Sequence, residues 1–147
     1  MIYTGSHSNW KSNTTIKTYA ISGNRGKDAD YFGPCFEELA PKKDFWKIWH
    51  DGVGKVPEVE NNKYYIQEYW YEVLNKLDPK KVYEQLDNSV LLCYESNDKF
   101  CHRHIVAAWF ELMLGVTVPE AKPNGSTVEI LNRPEYIKEY LKKVMLS

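Results

Sequence analysis

The chain of 147 residues has little arginine, little cysteine and no excess of either charge. Nineteen Lys and Arg stand against twenty Asp and Glu, for a formal charge of −1. A protein that coats nucleic acid draws its affinity from a basic face that neutralises phosphates, so a nucleic-acid partner is not expected. The three cysteines, Cys35, Cys93 and Cys101, are too few and too scattered for a disulfide framework, and a reducing cytoplasm is the expected setting. Apolar runs fall far short of the ~20 residues of a membrane span. The first ten residues, MIYTGSHSNW, lack a basic region followed by an apolar one, so no signal peptide is expected. There is no glycine loop of Walker or Rossmann type and no internal repeat.

What is present is a large apolar inventory. Hydrophobic residues make up 43% of the chain and aromatics 14%, too rich for a disordered segment. The length suits one domain, so residues 1–147 read as a single unit with a real core.

The order of elements follows from periodicity and punctuation. Met1–Thr4 reads as a first strand that stops at Gly5-Ser6-His7-Ser8. Ile16–Ser22 reads as a second strand, closed by Gly23-Asn24-Arg25-Gly26. After Pro41, a short helix is expected to turn Phe45, Trp46, Ile48 and Trp49 to one face, and 51–62 reads as a loop. The clearest helix covers 62–77, where Ile66, Tyr69, Trp70, Val73, Leu74 and Leu77 recur at helical spacing. Asp78-Pro79 is a cap followed by proline at the first helical position. The run Ser89–Glu95 is apolar without alternation, which suggests a strand buried on both faces of a parallel sheet. A helix over 101–114 follows, with Gly115 placed to cap it. Val116–Val118 and Thr127–Leu131 are weaker strand candidates, and Asn132-Arg133-Pro134 opens a last helix. This order predicts an α/β fold: one three-layer domain with a mostly parallel central sheet flanked by helices.

Sites in open parallel sheets form outside the carboxyl ends of the strands. The first strand would deliver Ser6, His7 and Ser8, the second Asn24 and Arg25, and the apolar strand Glu95. The following loop ends in Cys101-His102-Arg103 at a helix start, where unpaired amides and the helix dipole favour an anion and lower a thiol pKa. Only three of the cations are arginine, the residue whose planar fork grips carboxylate or phosphate, and Arg25 and Arg103 both fall at these strand-end loops. Three readings stay open for the Cys-His-Arg corner: anion binding, a nucleophilic thiol, or plain packing with Arg103 paired to Glu95 or Asp98. Phosphatase and rhodanese loops place Cys about six residues before Arg. Here Cys93 precedes Arg103 by ten residues and Cys101 by two, which matches neither class. No metal is expected, because neighbours such as Cys101 and His102 diverge by ~100° on a helix and no paired C-x-x-C is present.

The blocks LLCYESNDKFCHRHIVA (91–107), Ile2-Tyr3-Thr4 running into Gly5-Ser6-His7-Ser8, ELAPKKDFWKIWHDG (38–52) and KYYIQEYWYEVL (63–74) resemble the domain-of-unknown-function family 488 (DUF488), in its YeaO-like branch. The resemblance implies a compact cytoplasmic α/β domain and singles out Cys101, His102 and Arg103, without naming a reaction. The sequence departs from the family pattern where Ser6 stands between Gly5 and His7, and where Ser22-Gly23-Asn24-Arg25 replaces an acidic-Arg pair.

The leading functional expectation is an uncharacterised cytoplasmic protein that binds an anionic small molecule, such as a nucleotide, at a rim of His7, Ser8, Arg25, Glu95, Cys101, His102 and Arg103. Arg25 and Arg103 would hold the anion, Glu95 would orient Arg103, and His7 would be the proton-transfer group. One alternative is a non-catalytic protein- or nucleic-acid-docking module, which would leave several of Trp46, Trp49 and Trp70 exposed in one contiguous patch. The other is a thiol-dependent enzyme, which requires an accessible Cys101. No motif names a cofactor.

Overall fold

The computed structural model describes residues 1–13 and 15–147. Five strands form one sheet: β1 (Tyr3–Ser6), β2 (Lys17–Ala20), β3 (Ser89–Cys93), β4 (Glu120–Asn124) and β5 (Thr127–Leu131). Their order across the sheet is β2-β3-β1-β4-β5. β3 lies parallel to both β2 and β1, β4 joins β1 in parallel at Thr4 and Glu120, and only the β4–β5 hairpin is antiparallel. All five residues of β3 are buried, as an unalternating apolar run in a central parallel strand requires.

Among the described residues, five helices lie between the strands, α1 (His7–Trp10), α2 (Lys43–Gly52), α3 (Glu58–Glu72), α4 (Pro79–Leu86) and α5 (His102–Leu114), and α6 (Tyr136–Leu146) follows the last strand. Their placement follows from the hand of parallel crossovers, which is nearly always right. The connections from β2 to β3 and from β3 to β4 both step in the same direction across the sheet, so α2–α5 fall on one face. There Ile2, Leu91, Tyr69, Leu86, Trp109 and Leu141 share the large core. The connection from β1 to β2 steps the other way. It puts α1 on the opposite face, where Trp10 closes a smaller core over Val90, Leu92 and Ala121. The sheet is thus sandwiched between a thick helical layer and a thin one. No helix among the described residues is long and apolar enough to cross a membrane.

Several local expectations are met. Asp78 caps α4 by accepting from the amides of Lys80 and Lys81, and Gly115 ends α5 in the left-handed conformation at φ 68°. Others are corrected. β1 continues through Gly5 to Ser6, and the segment 51–62 is not a single loop, because α2 runs to Gly52 and α3 starts at Glu58, directly after Pro57. The first strand of the hairpin is Glu120–Asn124 and not Val116–Val118. Lys122-Pro123-Asn124 has poor strand propensity, but five residue pairs with β5 across a Gly125-Ser126 turn impose the conformation. Trp46 is 41% exposed and Ile48 60% exposed, so only Phe45 and Trp49 of the expected α2 face turn inward.

One close approach sets the thin layer. A Cβ on Gly5 would lie 2.3 Å from Trp10 Nε1 and 3.0 Å from the Ala121 carbonyl, to which that indole donates at 2.9 Å. Gly5→Ala is expected to destabilise the fold by about 2–3 kcal/mol through overpacking and the lost hydrogen bond, read as a lower urea midpoint.

Candidate functional site

The connections of β1 and β3 leave the sheet in opposite directions, so the crevice between these two neighbours is the topological switch point of the fold, where α/β sheets hold their ligands. His7 follows β1 directly. It is 4% exposed, and its ring lies 5.1 Å from the rings of both Tyr31 and Tyr94. The β2 loop presses on it, since a Cβ on Gly26 would meet His7 Cε1 at 3.0 Å. Ser6 caps α1, and its hydroxyl lies 3.3 Å from that of the exposed Ser8. Asn24 gathers the loop: its Oδ1 accepts from the Tyr94 hydroxyl, from Ser22 at 3.2 Å and from the Gly26 amide at 3.1 Å. Asn24 and Tyr94 also line a cleft of about 770 Å³ that runs along Trp46 and His50 of α2.

The β3 end and the α5 start supply the buried chemistry. Cys101 occupies the cap position before α5 in an extended conformation, and Cys93, Cys101 and His102 are each about 5% exposed. Their Sγ and ring-nitrogen atoms all lie within 4.8 Å of one another. The ~100° divergence between helical neighbours therefore does not separate Cys101 from His102, because Cys101 is not yet in the helix. Burial raises the Cys101 thiol pKa, but Cys93, Arg103 and His102 outweigh burial and hold it well below the ordinary thiol range. The neighbouring Cys101 and burial push Cys93 well above that range.

Arg103 is completely buried and forms a forked pair with Glu120. Nε donates to Oε1 at 3.0 Å and Nη2 to Oε2 at 2.7 Å. Glu120 Oε1 also accepts from Thr4 Oγ1 at 2.6 Å, and Thr4 in turn accepts from Arg133 Nη2 at 2.7 Å. This network ties β1, β4, α5 and the approach to α6 together. Arg103 Nη1 and His7 Nε2 are left buried with no hydrogen-bond partner among the described residues. Burial, with help from Arg103 and against Cys101, drives the His7 pKa down to about 4.

The expected rim is thus only partly assembled. His7 lies under Tyr94 and feels the charges of Cys101 and Arg103, Cys101 meets His102, and Ser8 lies at the edge. Arg25 is exposed, pairs with Glu37 at 3.2 Å and shares no contact with Arg103. Glu95 is exposed on a separate groove with Lys99, Trp49 and Phe100. The partner of Arg103 is Glu120, neither Glu95 nor Asp98. Sequence reasoning placed Asn24 at the end of the second strand but passed over Tyr94 and Tyr31, which pack against His7. Tyr94 stood in plain view next to Cys93 at the strand end. Of the three tryptophans that a docking surface would expose, only Trp46 is exposed; Trp49 and Trp70 are half-buried.

These features define a single α/β domain with a buried polar cluster at its switch point. Residues 6–114 match the family model described as the active DUF488-N3 subclade, and the chain belongs to the DUF488 family, whose function is unknown. No curated protein and no solved structure matches it.

Proposed function

We propose that the domain binds a small anionic molecule in the crevice between β1 and β3, at the N-terminus of α5. The observation that carries this reading is Arg103 Nη1, a guanidinium donor in a fully buried side chain with nothing to donate to. An unmatched buried donor costs about 1–3 kcal/mol, and an oxyanion beside it removes that cost. His7 Nε2 offers a second unpaired position. The first-turn amides of α5 favour negative charge at the same end of the crevice. The Tyr94–Asn24 hydrogen bond closes the entrance from the cleft, and its opening admits the ligand. Arg25 contributes little, being held on Glu37 in solvent.

The description of the matched subclade as active supports a working site and names no reaction. Catalysis by an accessible Cys101 thiol is less well supported, because that side chain is only 5% exposed. All three cysteines are free, which supports a reducing, cytoplasmic setting.

The test is a thermal-shift titration of metal-stripped protein with phosphate, pyrophosphate and nucleoside mono- and diphosphates. At least one of these should raise the melting temperature in proportion to its occupancy. His7→Ala should weaken that effect about tenfold or more, equivalent to ~1.4 kcal/mol, and Arg25→Ala should leave it unchanged. The proposal fails if no anion stabilises the wild-type chain, or if His7→Ala responds like wild type.

A further inference from the structure

We propose that Cys93, Cys101 and His102 form a tetrahedral zinc site with one open coordination position. This goes beyond anion binding and rests on different atoms. The two sulfurs and the imidazole nitrogen lie within 4.8 Å of one another, and Cys93 Sγ is 3.4 Å from His102 Nδ1. A tetrahedral zinc with bonds of ~2.3 Å to sulfur and ~2.0 Å to nitrogen has S···N edges of ~3.5 Å and an S···S edge of ~3.8 Å. The observed S···N separation is already at that value.

The histidine is oriented as a ligand. Nε2 lies 2.7 Å from the Ile21 carbonyl, which can only accept, so Nε2 carries the proton and the lone pair of Nδ1 faces the sulfurs. A backbone carbonyl that fixes the tautomer in this way is the usual outer support of a metal-bound histidine. The ring is held from the side by Tyr69, at 5.7 Å between centroids. The three donors come from the end of β3, the cap position and the first residue of α5, so the packed core supports all of them.

Charge and donor type select the ion. Two thiolates and a neutral imidazole balance a divalent cation, giving a buried cluster of zero net charge at low desolvation cost. Sulfur and nitrogen donors favour zinc over magnesium or calcium, which take oxygen. Three protein ligands leave the fourth position to water or an incoming anion, as in catalytic zinc sites. Metal-free, the same contact is a Cys93 thiol hydrogen bond to an imidazole within the core.

The test uses reduced, chelator-stripped full-length protein, titrated with zinc chloride and separately with cobalt chloride. One ion per chain should bind, zinc should raise the melting temperature, and cobalt should give thiolate charge-transfer absorption with the intense visible bands of tetrahedral coordination. Cys35→Ser should keep these signals, because Cys35 sits on the β2 side, bridged to Ala20 with its sulfur at the Arg25 and Gly33 carbonyls, and is not part of the cluster. Cys93→Ser and Cys101→Ser should each lose part of the charge-transfer band and bind zinc at least tenfold more weakly. The inference is overturned if wild type shows no thiolate–cobalt absorption, a result that needs no variant to fold, or if Cys35→Ser abolishes it. No oxyanion is present in this experiment and no metal in the anion titration, so either proposal can fail alone.

Discussion

Replacing Glu120 with alanine should lower the stability of the fold by about 3–5 kcal/mol, the cost of leaving a buried charge without its partner. Glu120 and Arg103 are both fully enclosed, and two guanidinium nitrogens depend on this one carboxylate. Burial works against ionising Glu120, but the hydrogen bond and charge of Arg103 overcome it and keep the carboxylate below its usual pKa. Removing Glu120 strands Arg103, and it also strips Thr4 Oγ1 of the acceptor it uses at 2.6 Å. The double variant Arg103→Met, Glu120→Leu should recover most of the loss, since matched apolar groups often replace a buried pair without penalty. Urea unfolding of the wild type, the single and the double variant measures this cycle. A loss below about 1 kcal/mol in the single variant would show that water reaches the pair. The double variant also separates stability from binding, because it should fold yet give no thermal shift with whichever anion stabilises the wild type.

The second large effect is acid sensitivity in the metal-free chain. Burial holds His7 and His104 at pKa values of about 4, against 6.5 for an ordinary histidine, and Arg103 adds to the shift at both sites. Neither ring nitrogen of His104 has a hydrogen-bond partner among the described residues, and the Glu120 carboxylate, 4.0 Å from Nδ1, does not offset burial and Arg103. Between pH 6.5 and 4 the unfolded chain binds protons that the folded chain refuses. The free energy of unfolding therefore rises with pH across this window, and stability complete above the upper limit is lost toward the lower one. The two groups together should cost on the order of 2–4 kcal/mol by about pH 5. Glu120, held below the ordinary carboxylate value of 4.5, adds to the slope only at the acid end of the window, so the histidines set it above that. Urea midpoints from pH 7.5 to 4.5 should fall steadily in wild type, and substitution of both histidines by glutamine should flatten the curve. A flat wild-type curve would mean that both rings take up protons in the fold as readily as in the unfolded chain.

The features legible in the sequence are those that depend on neighbours within a turn or along one strand. Asp78 before Pro79 announced a cap, Gly115 a helix end, and the unbroken Ser89–Cys93 run a strand covered on both faces, because each is decided by backbone chemistry a few residues long. Three parallel strand ends, with Cys101-His102-Arg103 at a helix start, also followed from that pattern. Where local propensity and tertiary pairing disagreed, as at Lys122-Pro123-Asn124, pairing prevailed. The arginines make the same point. A guanidinium fork needs a partner, but residue type does not say which one. Arg103 found Glu120, a residue with no local signal, only because β4 lies beside β1.

The aromatic wealth and the scarcity of cysteine had opposite fates. The aromatics, read as core, went mostly there, since burial of large rings is a demand that any fold of this composition must meet. The three scattered cysteines promised nothing by spacing. The chain alone determined one α/β domain with polar residues at its strand ends. Only the tertiary structure decided that Cys93 and Cys101, eight residues apart and on different elements, meet His102 in one buried cluster. That juxtaposition depends on how the loop between β3 and α5 returns the chain to the strand end, a long-range packing result that no local pattern encodes.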